Sequence, residues 1–168
     1  MTDPDIVVVT IDESDIEAFG QWPVSDALLA EVIEDIKAQH PRVIGLNLYR
    51  NLPIGEGQEK LAAVYRTTPN LIGTKKTVGT EIAPPKILEE AGQVGFTDLV
   101  VDRDGTIRRS LLTVDSQDPD HPELSLPMQL ALNFLAAEGI EVKVHQPRWR
   151  LPFDRRTYVQ LGKAIFTP

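Results

Sequence analysis

The 168-residue sequence predicts a single α/β domain, spanning residues 1–168, with a mixed central sheet and helices on both of its faces. A continuous apolar, β-branched run at residues 6–11 and a second, largely apolar run at residues 43–48 are typical of strands that are covered on both faces. A helical pattern separates them, and this strand–helix–strand order favours a parallel pair joined by a right-handed crossover. An Asp-Gly dipeptide in the second half predicts a hairpin, which adds antiparallel pairing.

The first half of the chain contains the predicted parallel core, in which strands 6–11 and 43–48 are expected to be adjacent and central. Ser25 is a good N-cap, and the helix that it begins extends over residues 25–39 and stops before Pro41. The helix is predicted from apolar residues at helical spacing: Leu28, Leu29, Val32, Ile33 and Ile36. A short helix near residues 58–66 and a third strand near residues 70–75 follow.

The second half contains the predicted hairpin. Residues 94–101 and 107–114 are expected to pair antiparallel around Asp104-Gly105, with Gly105 at positive φ. A helix then begins at Ser125 and is closed by Gly139, and residues 140–144 alternate like a final strand. Residues 146–168 show no firm periodicity.

Composition excludes several classes of function. The net charge of -8 and the absence of a basic stripe disfavour nucleic acid and anionic membrane surfaces as partners. The chain has no cysteine, so disulfides and thiolate chemistry are excluded, and its three histidines lack the spacing of metal ligands. We expect no metal and no cofactor. No apolar run approaches the ~20 residues of a transmembrane helix, so we expect any membrane segment to lie outside this sequence.

The motif most suggestive of catalysis is Asp102-x-Asp104-Gly105 after an apolar strand, which matches the nucleophile loop of haloacid-dehalogenase-like phosphatases. There the first aspartate attacks phosphorus, the second is the acid/base, and Mg²⁺ bridges them. The following segment is predicted to be a return strand, however, and little chain remains for the other groups such a fold requires. An EF-hand is excluded because its glutamate position falls on Thr113.

A structural interpretation of the same motif is favoured. Asp102 and Asp104 are turn formers that accept backbone hydrogen bonds, and Gly105 supplies the positive φ. Alternation sends Arg108 and Arg109 to opposite faces of the strand, so we expect one of them to pair with a carboxylate.

A ligand site is predicted where the first two strands end. Parallel strands deliver the loops that follow them to one edge of the sheet, and in open α/β sheets ligands bind there. The polar residues that follow these strands, with one aromatic wall, are the candidates: Asp12, Glu13, Trp22, Asn47, Tyr49 and Arg50. Carboxylates with one arginine favour a small polar ligand, zwitterionic or cationic. Taken singly, Asp12 and Glu13 are better explained as solvated carboxylates of a loop.

Taken together, the order of these pieces resembles a known family. No single motif among them is diagnostic, but their colinear order is specific. The series is Ile11-Asp12-Glu13, Gly20-x-Trp22-Pro23, Val43-Ile44-Gly45-Leu46-Asn47-Leu48-Tyr49-Arg50-Asn51-Leu52-Pro53, Pro69-Asn70-Leu71-Ile72-Gly73, Gly92-Gln93-Val94-Gly95-Phe96, Asp102-x-Asp104-Gly105-x-x-Arg108-Arg109 and Ser125-Leu126. Over essentially the whole chain it resembles the CHASE2 sensor domain in its cyanobacterial form.

The resemblance implies an extracytoplasmic, ligand-sensing domain of a membrane-anchored bacterial receptor, and not an enzyme. In such receptors transmembrane helices follow, with a cytoplasmic nucleotide cyclase, histidine kinase, diguanylate cyclase or Ser/Thr kinase. The implied partners are an unknown small-molecule signal and a second copy in the full-length receptor. The family pattern continues beyond Pro168, so we expect a last segment to be missing here.

Two alternatives stay open: a ligand-free dimerisation module of the same receptors and, more distantly, the Mg²⁺-dependent phosphatase. The chain also departs from the family pattern. Val24-Ser25-Asp26 stands where the family often has an arginine, and Asn47 and Asn51 stand where it favours aspartate. If these positions form the sensory site, its charge and its ligand differ here.

Overall fold

The computed structural model describes residues 5–114, 122–140, 142–145 and 158–166. The helices are α1 (Glu13–Phe19), α2 (Asp26–Ala38), α3 (Gln58–Arg66), α4 (Lys86–Glu90) and α5 (Leu126–Ala136). The strands are β1 (Ile44–Gly45), β2 (Leu71–Lys75), β3 (Val94–Phe96), β4 (Thr113–Val114), β5 (Glu123–Leu124), β6 (Val142–His145), β7 (Tyr158–Leu161) and β8 (Ala164–Phe166).

The sheets combine parallel and antiparallel pairing. β1, β2 and β3 form a parallel sheet in that order, with Ile44 opposite Leu71 and Gly73 opposite Val94. A parallel bridge from Phe96 to Ser125 connects β3 with the β4–β5 antiparallel pair. The predicted α/β class with a mixed sheet is therefore confirmed.

Helices lie on both faces of the parallel sheet, and two glycines show where they pack. A Cβ at Gly45 would lie 2.8 Å from the Leu130 side chain of α5, and a Cβ at Gly73 would lie 2.6 Å from Leu88 of α4. The second face carries the main core, whose members are Val24, Leu29, Ala30, Ile33, Ile44, Leu61, Val64, Tyr65, Leu71 and Leu88. The short strands are thus held by cover on both sides.

The local elements of the first half match their sequence patterns. α2 begins after Ser25, whose hydroxyl accepts from the Leu28 N–H, and ends within a residue of the predicted boundary. α3 and β2 lie where the pattern predicts them. The alternating run predicted at 140–144 forms β6, but it is not the final strand, because β7 and β8 continue an antiparallel sheet from it.

The N-terminal apolar segment (residues 6–11) does not form the predicted strand. Its first side chains are exposed by 61 to 84% (Ile6, Val7, Val8 and Val9), whereas Ile11 packs against the core. Within the described ranges no strand lies on the outer side of β1, so β1 is an edge strand. The prediction of two adjacent central strands is wrong. A β-branched run favours a strand only where a neighbour supplies hydrogen bonds and cover, and neither is supplied here.

The predicted hairpin is reduced to its turn. Gly105 has a φ of 80°, and its N–H donates to the Asp102 carbonyl across 2.8 Å. One antiparallel bridge joins Val100 to Arg109, but the strands do not extend from it. The prediction of long paired strands is wrong because Val94–Phe96 takes its hydrogen bonds from β2 and Thr113–Val114 pairs with β5.

Candidate functional site

The carboxyl edge of the parallel sheet is where the predicted site should lie. We use this name for the loops that follow β1, β2 and β3, at residues 46–54, 76–80 and 97–101. The Tyr49 hydroxyl is 2.8 Å from the Thr97 hydroxyl, so the first and third loops are in contact. The sheet therefore brings three loops together at this edge, as parallel strands dictate.

Asp98 fixes the second and third loops of the carboxyl edge to each other. Its carboxylate accepts from the Thr77 N–H and the Val78 N–H, each across 2.8 Å, and from the Thr77 hydroxyl across 3.0 Å. Desolvation, the largest single effect, raises the pKa of Asp98, but these hydrogen bonds and the charge of Lys76 outweigh it and hold the pKa below its ordinary value. Asp98 is therefore a structural clamp in its ionised form.

Arg50, a predicted ligand residue, is buried beneath this edge. Its Nη1 donates to the Val24 carbonyl across 2.9 Å and lies 3.4 Å from Asp26 Oδ1. Both side chains of the ion pair are only 3% exposed. The guanidinium is thus engaged by the start of α2 and is not presented to solvent.

Tyr65 of α3 completes this buried polar cluster. Its hydroxyl and the Nε of Arg50 are both buried, and neither has a hydrogen-bond partner in the part of the chain that the structure describes. Burial raises the pKa of the Tyr65 phenol above its ordinary value, Arg50 opposes the shift, and Asp26 adds to it. The phenol is therefore neutral at physiological pH. Buried polar groups usually have partners, so these two atoms are exceptions among the described residues.

Asp12 and Glu13 begin α1. The Asp12 carboxylate accepts from the Ser14 hydroxyl at 2.6 Å and from two backbone N–H groups, and the Asp15 carboxylate accepts from the Asp12 N–H in return. The bond from Ser14 is the largest cause that lowers the pKa of Asp12 below its ordinary value. This is a capping box, which explains Asp12 as a helix signal. Glu13 is exposed in the first turn of the same helix.

The other predicted ligand residues face solvent. Trp22 is 51% exposed, Tyr49 is 42% exposed, and Asn47 is also exposed. The structure thus divides the predicted set: Arg50 is buried and Asp12 caps α1, whereas Glu13, Trp22, Asn47 and Tyr49 are exposed, with the Tyr49 hydroxyl bonded to Thr97. Ligand binding by these residues stays a prediction.

The Asp102–Arg109 turn forms an exposed ion-pair network. Arg108 contacts Asp102 at 3.0 Å and Asp104 at 2.7 Å, and Arg109 also contacts Asp102. Hydrogen bonds from Arg109 and Arg108 lower the pKa of Asp102, and the bond from Arg108 is the main cause that lowers the pKa of Asp104. Both carboxylates are occupied by guanidinium groups. No group of three potential metal ligands occurs in the described ranges.

A cavity that sequence reasoning missed lies beside β2 and β3. It has a volume of about 260 Å³ and is lined by Lys75, Glu89, Gly92, Val94, Pro122, Glu123, Leu124 and Gln129. Lys75 and Glu123 pair across 2.7 Å in its wall, and both are partly buried. The lining residues come from several distant parts of the chain, so no local pattern could have revealed the cavity.

Comparison with known families gives one match. The family model of the CHASE2 domain matches residues 1–166, which is essentially the whole chain. The chain belongs to the CHASE2 family. No curated protein and no solved structure matches it.

CHASE2 domains are extracytoplasmic sensory domains of signalling receptors, and they are not catalytic. The sensory class and the extracytoplasmic location expected from the sequence are therefore confirmed at this level. The ion-paired state of Asp102 and Asp104 is consistent with a structural turn in a sensory domain. None of the helices in the described ranges has the length and apolar character needed to span a bilayer.

Proposed function

We propose that this CHASE2 domain recognises a small polar molecule outside the cytoplasm on behalf of a membrane-anchored receptor. The output is a cytoplasmic nucleotide cyclase or histidine kinase. The observation that carries the proposal is the family match over residues 1–166. The net charge of -8 supports a zwitterionic or cationic ligand over a polyanion, because an acidic domain repels anions at a distance.

The carboxyl edge is the proposed ligand surface. Tyr49 offers an apolar face, Asn47 adds an amide that both donates and accepts hydrogen bonds, and Trp22, on the loop before α2, is the proposed aromatic wall. The Asp98 clamp and the buried Arg50 hold the loops beneath these side chains. Such support favours recognition, because a preorganised surface loses less entropy when it binds. Ligand binding would then shift the population of domain or dimer arrangements that reach the membrane segments.

The cavity beside Lys75 and Glu123 is a second location for the same class of ligand. Lys75 and Glu123 could give up their ion pair there, so that Lys75 binds the negative group of a zwitterion and Glu123 binds its positive group. The two locations share no residue, so substitution separates them.

Thermal-shift screening with zwitterionic, cationic and anionic metabolites tests the proposal, because a ligand that binds the native state raises the melting temperature. We expect a zwitterion or cation to stabilise the protein. Asn47→Ala/Tyr49→Ala should remove the shift if the carboxyl edge binds, and Lys75→Met should remove it if the cavity does. Lys86→Ala, an exposed change on α4, is the control. A screen in which no compound stabilises the native protein contradicts the proposal.

One observation favours the alternative of a ligand-free interaction module in the same receptors. The N-terminal apolar segment exposes four consecutive apolar side chains (Ile6, Val7, Val8 and Val9). Exposed apolar runs of this kind mark interaction surfaces in soluble proteins. Under this alternative the metabolite screen gives no shift, whereas self-association depends on the segment.

A further inference from the structure

The N-terminal apolar segment carries no charged residue, Gly or Pro along its length, and its sequence is Ile-Val-Val-Val-Thr-Ile. Val7 and Val8 are 84% and 76% exposed although they point to opposite sides in an extended chain. Both faces of its first four residues, Ile6 to Val9, are therefore apolar and solvated. A strand of this composition is normally covered on both faces.

The outer side of β1 presents a complementary open edge. The N–H groups of Ile44 and Leu46 donate to the Asn70 and Ile72 carbonyls, across 2.9 and 2.8 Å. Because backbone groups alternate in direction along a strand, the N–H and carbonyl of Gly45 point away from β2. Among the residues that the structure describes, no strand takes up that side.

Neither the segment nor the edge has the features by which proteins block unwanted strand pairing. Exposed edges are usually protected by charged side chains, proline or bulges. Residues 43–48 contain no charged residue and no proline, and the same holds for residues 6–11. Helices already lie on both faces of β1, with the core on the Ile44 side and Leu130 of α5 on the Gly45 side. A strand added beside β1 would therefore lie between the core and α5, where apolar side chains on both of its faces would be covered.

We propose that the N-terminal apolar segment of one copy adds to the open β1 edge of a second copy, as a parallel strand. In the described part of the chain, Ile6 to Val9 lie in solvent and the outer side of β1 has no strand partner, so two copies that exchange segments satisfy both surfaces at once. Such reciprocal exchange gives a closed two-fold dimer, in which each partner supplies one strand and one edge. Two copies that each carry a charge of -8 repel each other, so the dimer strengthens as salt screens that repulsion.

Disulfide trapping between two differently labelled chains tests the exchange. The protein has no cysteine, so introduced thiols are the only ones present. With residues 6–11 alongside residues 43–48, Thr10 lies opposite Asn47, and neighbouring strands are close enough for a disulfide. Thr10→Cys and Asn47→Cys proteins are purified separately, mixed and oxidised. We expect a reducible species of twice the 18.7 kDa chain mass in the mixture, and much less of it in either protein alone.

The double variant T10C/N47C identifies the competing arrangement. If the segment docks on its own chain, the double variant forms an internal disulfide and stays monomeric while the mixture does not cross-link, and the proposal fails. It also fails if the mixture does not cross-link and sedimentation shows a monomer at every concentration and salt level.

Self-association of the cysteine-free protein provides the second measurement. Val7→Lys/Val9→Lys should raise the dimer dissociation constant at least tenfold, because charge is introduced on the face that enters the partner. Ile107→Lys, at a 51% exposed isoleucine outside the segment and the carboxyl edge, is the control and should leave the dissociation constant unchanged. Both variants change exposed residues, and their circular dichroism should match that of the parent protein. Equal dissociation constants for all three proteins overturn the proposal.

Discussion

The burial of Arg50 gives it a structural role, while ligand binding by this residue stays a prediction. Its partner Asp26 is the first residue of α2, where a carboxylate is also favoured by the helix dipole. The guanidinium therefore ties the loop after β1 to the start of α2. A buried pair of this kind contributes little net stability, but the loss of one member leaves an uncompensated charge in the interior.

Asp26→Ala is accordingly expected to lower the free energy of unfolding by about 3–5 kcal/mol, measured by urea denaturation. The double variant Asp26→Ala/Arg50→Met should recover a large part of the loss, because it removes the stranded charge. Glu31→Ala breaks the exposed pair with Lys60 and should cost less than about 1 kcal/mol. Equal losses in the two single variants would show that the buried pair is not special.

Asp98 gives a pH-dependent prediction. Its pKa in the folded protein lies below the ordinary value of 3.8, so its stabilising effect is present above that value and is lost as the pH falls through the lower folded value. Asp98→Asn should therefore cost about 2 kcal/mol near neutral pH. The difference from the parent protein should hold down to about pH 5 and shrink as the pH falls through the ordinary value of 3.8 toward the lower folded value. Asp35→Asn, at an exposed residue of α2, is the control, and a pH-independent difference contradicts the clamp.

At the scale of elements, the junction of α2 and α3 depends on one glycine. Gly57 has a φ of 95°, and a Cβ there would lie 2.3 Å from the backbone nitrogen of Ala27. The Ala27 N–H in turn donates to the Glu56 carbonyl across 2.8 Å. The two helix starts are therefore held against each other by backbone contacts that tolerate no side chain.

Gly57→Ala is expected to destabilise the protein by more than about 3 kcal/mol, since it combines backbone strain with a clash against main-chain atoms. Gly92→Ala is the matched control because Gly92 also has a positive φ, 69°, but open space around its Cβ position. It should cost only about 1 kcal/mol. Chemical denaturation of both variants separates the clash from the strain, and equal costs would refute the close packing.

The accuracy of the sequence predictions also differs by element. α2 and α3 could be predicted because spacing and capping are local, as Leu28 and Ser25 illustrate. The pairing of residues 6–11 and of the hairpin strands could not be predicted in the same way, because strand pairing depends on partners that are distant in sequence. The same reason explains the site. The exposure of Tyr49 follows from its place after a strand, whereas the burial of Arg50 depends on Asp26, which lies 24 residues earlier.

At the scale of the whole molecule, the domain is expected to behave as a metal-independent, non-catalytic unit. Asp102 and Asp104 are each paired with an arginine, so a Mg²⁺ ion would have to displace guanidinium groups to reach them. Millimolar Mg²⁺ should therefore leave the melting temperature unchanged, and phosphatase activity should be absent from the parent protein and from Asp102→Asn. A rise in melting temperature with Mg²⁺ that Asp102→Asn removes would restore the phosphatase interpretation.

The glycines that face α5 have a mechanical consequence. A Cβ at Gly95 would lie 2.6 Å from the backbone of Leu126, so β3 and the start of α5 touch through main-chain atoms, and Gly45 meets Leu130 further along the helix. Main-chain contacts have no rotamers with which to absorb a displacement. α5, with its 11 residues, is thus a rod about 16 Å long that begins beside the end of β3 and crosses to β1. A displacement of β3 would therefore pass directly to the start of α5, since no side-chain rotation at the Gly95–Leu126 contact can absorb it.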